Sequence, residues 1–255
     1  MPGNPYASSL IYDQPVGRWL GGLPWSWVSS DGSRYIYRGA DGSIHLATVA
    51  EATDTVIVAS KTSPSGAGWF PIAMSGQQIF LAVGSNEVAA PAPYYGVWSA
   101  NQDGSGLKML TQSGVFNAID QGGAWGVTPQ SAANLNRLDL TTGIQVAWYS
   151  PSDGFISLYG FDTAGHPIIG INPSSNSSGN YRVGILTAKD TFQAIRLPAG
   201  TAWGTSQHYV QNGLDAPEGI WLAVQDGSLL FAAQGLEFKV VATVSGVSSV
   251  AGPCQ

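Results

Sequence analysis

Short runs of β-branched and aromatic residues follow one another in a set order, and that order returns about every 44 residues along the chain. The clearest copy opens the series. Trp25-Ser26-Trp27-Val28 reads as a strand, Ser30-Asp31-Gly32-Ser33 as a turn, and Arg34 to Arg38 as the returning strand. Asp41-Gly42 turns the chain again, Ser43 to Val49 makes a third strand, and Thr55 to Ser60 a fourth. Gln78 to Val83 and Lys239 to Val244 are further runs of the same kind. Such runs suit a pleated, half-buried surface. Asp-Gly pairs also stand at 103–104, 153–154 and 226–227, and both residue types tolerate the positive φ that tight hairpins demand. No stretch keeps apolar residues at helical spacing for three turns, so the chain reads as successive antiparallel hairpins.

First strands begin near Trp25, Trp69, Val115, Phe155, Gln207 and Val247, in steps of 44, 46, 40, 52 and 40 residues. A unit of this length with four antiparallel strands is the blade of a β-propeller. The longest step holds the polar loop Asn172 to Gly179, and the second unit carries Ala89-Ala90-Pro91-Ala92-Pro93 as a similar insertion. Five units occupy residues 25–246, which leaves 33 residues at the two ends, fewer than one unit. Val247 to Gly252 resembles a first strand, and Ser9 to Tyr12 and Arg18 to Leu20 resemble a third and a fourth. The expectation is an all-β chain. Residues 1–255 are expected to form a single β-propeller domain of six blades, with both termini sharing the last blade so that its edges are paired. A five-bladed ring with the N-terminal segment laid outside it is the alternative.

Composition narrows the function. Charged residues make up 10 % of the chain, less than half the usual share of about 25 %. Disordered chains are charged and poor in aromatics, so disorder is excluded. Cys254 is the one cysteine, which rules out a disulfide framework. It leaves open a buried thiol or a bridge to another chain. A net charge of −6 and a pI near 4.8 argue against a nucleic-acid partner. No run approaches 18 apolar residues, so no transmembrane helix is expected.

The stretch Trp27-Val28-Ser29-Ser30-Asp31-Gly32-Ser33-Arg34-Tyr35-Ile36-Tyr37 resembles the TolB-type, WD40-like propeller repeat. That repeat carries an apolar strand, then Ser-Pro-Asp-Gly, then a small or basic residue and a second apolar strand; here Ser30 stands in the proline position. Met74-Ser75-Gly76-Gln77-Gln78-Ile79-Phe80 keeps the hairpin without the aspartate, and the other units share the rhythm rather than the motif. The resemblance implies architecture. It transfers no catalytic residue, because the motif is a folding device. Members of this broad group bind proteins, peptides or sugars, and some are appended to enzymes.

Signatures of known chemistry are missing. There is no Gly-x-Ser-x-Gly, His-Glu-x-x-His, Gly-x-x-x-x-Gly-Lys or sialidase-type Asp-box. Gly66-Ala67-Gly68 opens like a dinucleotide loop, but Pro71 takes the third glycine position. His45, His166 and His208 are too far apart in sequence for a local metal cluster, and nothing calls for a cofactor. Glycoside cleavage needs two carboxyl groups about 5–10 Å apart. Asp120 and Asp162 end first strands, and Asp215 and Glu218 lie in the loop after one, so all four could reach a central channel. Against this stands the liking of aspartate for turns. His208, at the start of a first strand, could serve as a base or bind a ligand, or be a hydrogen-bonded structural residue. His45 alternates with Ile44 and Leu46 and is expected to face outward.

Aromatics gather at first strands: Trp25, Trp27, Trp69, Phe70, Phe116, Phe155 and Tyr209. With amides such as Gln121, Gln130, Asn134 and Asn172 nearby, they would suit a lectin; filling the wedge between blades is the other use of such rings. The reading of the sequence is therefore a non-catalytic propeller that binds a protein, peptide or glycan at one face of the ring. Its ligand-binding candidates are Trp69, Asp120, Asp162, His208, Asp215 and Glu218. A carbohydrate hydrolase using the channel carboxylates is the alternative. Richness in Gly, Ser, Thr, Asn and Trp with few lysines looks like an exported bacterial β protein, extracytoplasmic or at the cell surface. Asn176-Ser177-Ser178 is a formal glycosylation sequon, which matters only in a eukaryotic secretory host.

Overall fold

The structure, a computed structural model, describes residues 10–13, 18–21, 25–29, 31–85, 94–120, 122–128, 132–162, 164–174, 181–199, 211–216, 219–223, 228–232 and 237–243. Regular structure among the described residues is strand, apart from two three-residue turns of 3-10 helix. Strands β1 (Leu10–Asp13) and β2 (Arg18–Gly21) form an antiparallel pair, where a third and a fourth strand were expected. Strands β3 (Arg34–Arg38), β4 (Ile44–Thr48) and β5 (Thr53–Val58) make a three-stranded sheet. Four-stranded sheets follow. The second sheet is β6 (Trp69–Ser75), β7 (Gln78–Gly84), β8 (Tyr94–Asn101) and β9 (Lys108–Thr111). The third is β10 (Ala118–Asp120), β11 (Gly123–Val127), β12 (Leu135–Asp139) and β13 (Gln145–Tyr149). The fourth is β14 (Gly154–Phe161), β15 (Pro167–Pro173), β16 (Arg182–Ala188) and β17 (Thr191–Ala194). The fifth is β18 (Gln211–Ala216), β19 (Gly219–Ala223), β20 (Ser228–Ala232) and β21 (Lys239–Thr243). In every sheet spatial order follows chain order, the meander that a 44-residue repeat of hairpins dictates.

One expected strand is not formed. Trp25–Trp27 is a 3-10 turn, and only Val28 bridges β3, through Tyr35. Trp25 and Trp27 therefore do not share one face of a strand. Pro24 precedes the turn, and its fixed φ suits the start of a helical turn. The Ser26 hydroxyl then donates to the Ile72 carbonyl on β6 at 3.0 Å, which ties the turn to the second sheet in place of a ladder. The expected starts near Gln207 and Val247, and the insertions 89–93 and 175–179, lie outside the described residues.

The chain divides into two compact units. One is Met1–Gln130 with Arg137–Gln145 and Cys254–Gln255; the other is Ser131–Asn136 with Val146–Pro253. In the first, Ile36 and Ile44 pack with Trp69, Ile79, Leu81 and Trp98. The two tryptophan rings meet edge to face, 5.6 Å between centroids. A second cluster joins Ile72, Phe80, Val97, Phe116 and Leu138. In the other unit Ile168, Tyr181, Val183 and Ile185 pack with Leu230 and Phe238. Each such aliphatic residue, when fully buried, contributes about 1.5–3 kcal/mol. The middle strands carry this burial: six of the seven residues of β7 are buried, whereas the first four of β5 are exposed.

Two arginines of β3 latch the first sheet to the second. Arg38 donates from Nε to the Trp69 carbonyl at 2.9 Å and from Nη2 to the Ala67 carbonyl at 3.1 Å. Its guanidinium also lies 4.5 Å from the centre of the Phe70 ring. At the other end of the strand, Arg34 donates to the Gln102 side chain, whose amide in turn donates to the Gly76 carbonyl.

Candidate functional site

The expected channel carboxylates sit at strand ends, so turn chemistry decides what they can do. The same local device recurs. A carboxylate oxygen of Asp31, Asp41, Asp103 and Asp139 accepts the backbone N–H two residues on, from Ser33 (3.1 Å), Ser43 (3.0 Å), Ser105 (2.9 Å) and Thr141 (3.0 Å). This is the hydrogen bond by which aspartate mimics a backbone turn. Gly32, Gly42 and Gly104 complete three of these turns at φ of 68°, 82° and 81°. The bonds favour the charged form. Hydroxyls of Ser29 and Ser33, with the Ser33 N–H, hold Asp31 down at about 2. Hydrogen bonds to Ser43, Ser105 and Thr142 likewise lower Asp41, Asp103 and Asp139.

Asp162 is committed in the same way. Its Oδ1 accepts the N–H groups of Ala164 (3.0 Å) and His166 (2.7 Å), and its Oδ2 faces Nδ1 of His166 at 2.8 Å. The carboxylate closes the β14–β15 hairpin. Asp120 ends β10, half-buried and opposite Gly123. Asp215 lies inside β18 opposite Ile220, rather than in the loop beyond it. His208 and Glu218 lie outside the described residues. Trp69 is only 1 % exposed, and its indole N–H points to the Ala59 carbonyl (3.2 Å) and the Thr62 hydroxyl (3.1 Å). Phe116 is fully buried as well. Phe155 is different: it is 45 % exposed, opposite Asn172, whose amide donates to the Ser157 hydroxyl at 3.3 Å. No group of three or more His, Cys, Asp or Glu side chains that could hold a metal occurs among the described residues.

Sequence reasoning missed one network. His45 does not simply face outward; its ring stacks on Tyr37 with centroids 4.8 Å apart. Its Nδ1 lies 3.0 Å from Oδ1 of Asp54, and its Nε2 lies 3.2 Å from the Ser43 hydroxyl. Tyr37 donates to the other Asp54 oxygen at 2.5 Å. Burial and Asp54 push the Tyr37 phenol up to about 12, and the Tyr37 bond lowers Asp54. Serine, histidine and aspartate thus stand in the order and at the spacing of a hydrolytic triad. The proton runs the wrong way for catalysis. Ser43 is 1 % exposed and donates to Asp41 at 2.5 Å, so its oxygen is neither reachable nor activated by His45. One signal was available: Tyr37 and His45 are equally far from Asp41, so a hairpin centred there pairs them, as β3 and β4 do. Asp54 was not legible, because a register shift between Ile44 and His45 brings it within reach.

The turns also sort the charge within each sheet. Asp31, Glu51, Asp103, Asp139, Asp162 and Asp190 stand in turns between first and second or third and fourth strands. At the opposite ends of the strands are Asp41 and Asp153, with Arg38, Lys61, Arg182 and Arg196. Asp153 there accepts from Arg182 at 2.6 Å. Within single sheets the first of these ends also carries Arg34, Lys108 and Lys189, so its acidic excess is modest.

No family model and no curated protein matches this sequence. Solved structures do match. The chain is similar to YCF48 bound to D1 peptide, with a TM-score of 0.52 at 12 % identity over 90 % of this chain and 74 % of that one. It is similar to the acylaminoacyl peptidase of Pyrococcus horikoshii, with a TM-score of 0.52 at 11 % identity over 88 % of this chain and 39 % of that one. TolB from Acinetobacter baumannii matches with a TM-score of 0.47 at 16 % identity, over 82 % of this chain, which spans about half (54 %) of that protein's chain. These identities speak to fold alone. With the repeated antiparallel sheets, the two matches at a TM-score of 0.52 make the fold a β-propeller, the architecture that the motif around Asp31-Gly32 implied.

Proposed function

We propose that this chain is a non-catalytic binding propeller that recognises a protein, peptide or glycan at one face of a single ring. The observation that carries the reading is the commitment of Asp162. A carboxylate that accepts two backbone N–H groups of its own hairpin and faces the imidazole of the same turn is held as a turn residue, which supports a structural role for this candidate. The likeness to a structure in which YCF48 is bound to a peptide supports peptide recognition. Asp120, His208, Asp215 and Glu218 are the proposed ligand contacts, joined by the exposed Phe155, whose strand partner is Asn172. Trp69 acts through packing and Asp162 by closing its hairpin. The net charge of −6 favours a basic segment over an acidic one. Six blades closed by both termini, and a place outside the cytoplasm of a bacterial cell, belong to the same proposal; composition and the count of terminal residues support them.

Peptide and glycan arrays, with mass spectrometry of co-purified ligands, test the reading. Retention of basic peptides, weakening as salt rises, is the expected result. Turnover of any substrate by the purified protein, or retention of acidic peptides in preference to basic ones, overturns it.

A further inference from the structure

We propose that the end of the fourth sheet around Phe155 is a subsite for a neutral glycan: the Phe155 ring stacks on a sugar face, and the Asp153–Arg182 pair meets its hydroxyls. This rests on the reading of the chain as a binding propeller and names the ligand at Phe155. Segments of one compact unit meet at this end. The Ser174 N–H donates to the Asp153 carbonyl at 3.0 Å, which carries the β14–β15 ladder one step beyond Gly154 and Pro173. Asn172 stands opposite Phe155 and donates its side-chain amide to the Ser157 hydroxyl at 3.3 Å. From β16, Arg182 reaches back with Nη2 to both oxygens of Asp153, at 2.6 and 2.7 Å. From the β11–β12 connection, the Ala132 carbonyl accepts the N–H of Ile156, the residue after Phe155, at 2.7 Å.

The chemistry of these groups suits a sugar. Phe155 is 45 % exposed near the start of its strand, whereas Trp69, at the start of β6, is 1 % exposed. The C–H face of a pyranose is apolar and lies well on the negative face of an aromatic ring. The Asp153 and Arg182 side chains keep 37 % and 41 % exposure. Their charges cancel, so the pair exerts little pull on a charged segment. It presents acceptor oxygens beside N–H donors, and adjacent hydroxyls, each of which both donates and accepts, are the complement of that arrangement. Ala132 holds φ 46°, strained for a residue with a Cβ. Ala52 and Asp190 adopt such a φ within tight hairpins, but Ala132 does so in the connection that is pinned beside the ring. Strain of this kind gathers at ligand-binding positions.

Calorimetric titration of the intact chain with neutral cello-, malto-, manno- and chitin-oligosaccharides tests the subsite. At least one series should bind wild type, with affinity changing less than about twofold between about 50 and 500 mM NaCl, because no net charge is neutralised. Phe155→Ala and Arg182→Ala should each weaken that binding by about tenfold. Phe155→Trp should keep it, and so should Met109→Ala, which truncates a comparably exposed side chain on β9. If none of the sugars binds while basic peptides are still retained, the glycan is overturned and the binding propeller stands. Retention of neither overturns both. Sugar binding that survives Phe155→Ala overturns the subsite, and so does peptide retention lost on Phe155→Ala in a chain that binds no sugar. If Phe155→Ala fails to fold, NMR of the wild-type Phe155 ring decides: its signals should shift as sugar is added, and unmoved signals overturn the proposal.

Discussion

At Asp31 three hydrogen bonds converge on one carboxylate oxygen, from the Ser29 and Ser33 hydroxyls and the Ser33 N–H. They hold the group at about 2, well below its ordinary 3.8. The sign follows. A carboxylate depressed by folding contributes stability that is complete above the unfolded value and is lost as pH falls through the folded one. Asp41, Asp54, Asp103 and Asp139 are shifted the same way, so the protein should lose stability progressively below about pH 4. Acid titration followed by tryptophan fluorescence checks this, and Asp31→Asn should flatten the part of the curve nearest pH 2. The turns at Asp31, Asp41 and Asp103 were legible because Asp-Gly announces itself; Asp139, followed by Leu140, was not. Asp162 was not, since Thr163-Ala164-Gly165 follows it and only the bonds to Ala164 and His166 reveal the same device.

Among elements, the hairpin rhythm predicted strand order sheet by sheet, because period-two runs and turn residues are local signals. It failed at Trp25–Trp27, where alternation of aromatic and small residues reads as a strand. A proline before the segment and one serine bond to Ile72 decide otherwise, and the second of these is a contact 46 residues away. The Arg38 latch is a similar case: no spacing announces that β3 holds β6 and the residues before it through the Trp69 and Ala67 carbonyls and an aromatic face. Arg38→Ala should lower stability by about 2–3 kcal/mol, since two bonds from a charged donor and the contact with Phe70 go together. Urea melts would show it, and Arg38→Lys should recover only part, lacking the planar fork.

For the whole molecule, the repeat predicted an all-β propeller, and the described sheets with their structural relatives bear out that architecture. The site was less legible, because exposure of a ring such as Phe155 and burial of one such as Trp69 are set by packing between sheets, not by local pattern. The proposed closure makes its own prediction: removing residues 247–255 should lower the melting temperature, by about 2–4 °C for each kcal/mol of lost pairing, as read by calorimetry.

The outer strands bear on how the protein keeps in solution at high concentration. Strand β5 carries Asp54, β9 Lys108 and β21 Lys239, and a charge on an edge discourages a second chain from adding to it. Strands β13, Gln145 to Tyr149, and β17, Thr191 to Ala194, carry none. On β13 Val146 is 36 % exposed, and Ile144 just before that strand 62 %. What covers the β13 backbone is the tip of the β16–β17 hairpin, where Asp190, at φ 57°, donates its N–H to the Trp148 carbonyl. That bond occupies one backbone carbonyl of β13. Val146→Lys should delay light scattering in concentrated, agitated samples while leaving the melting temperature unchanged.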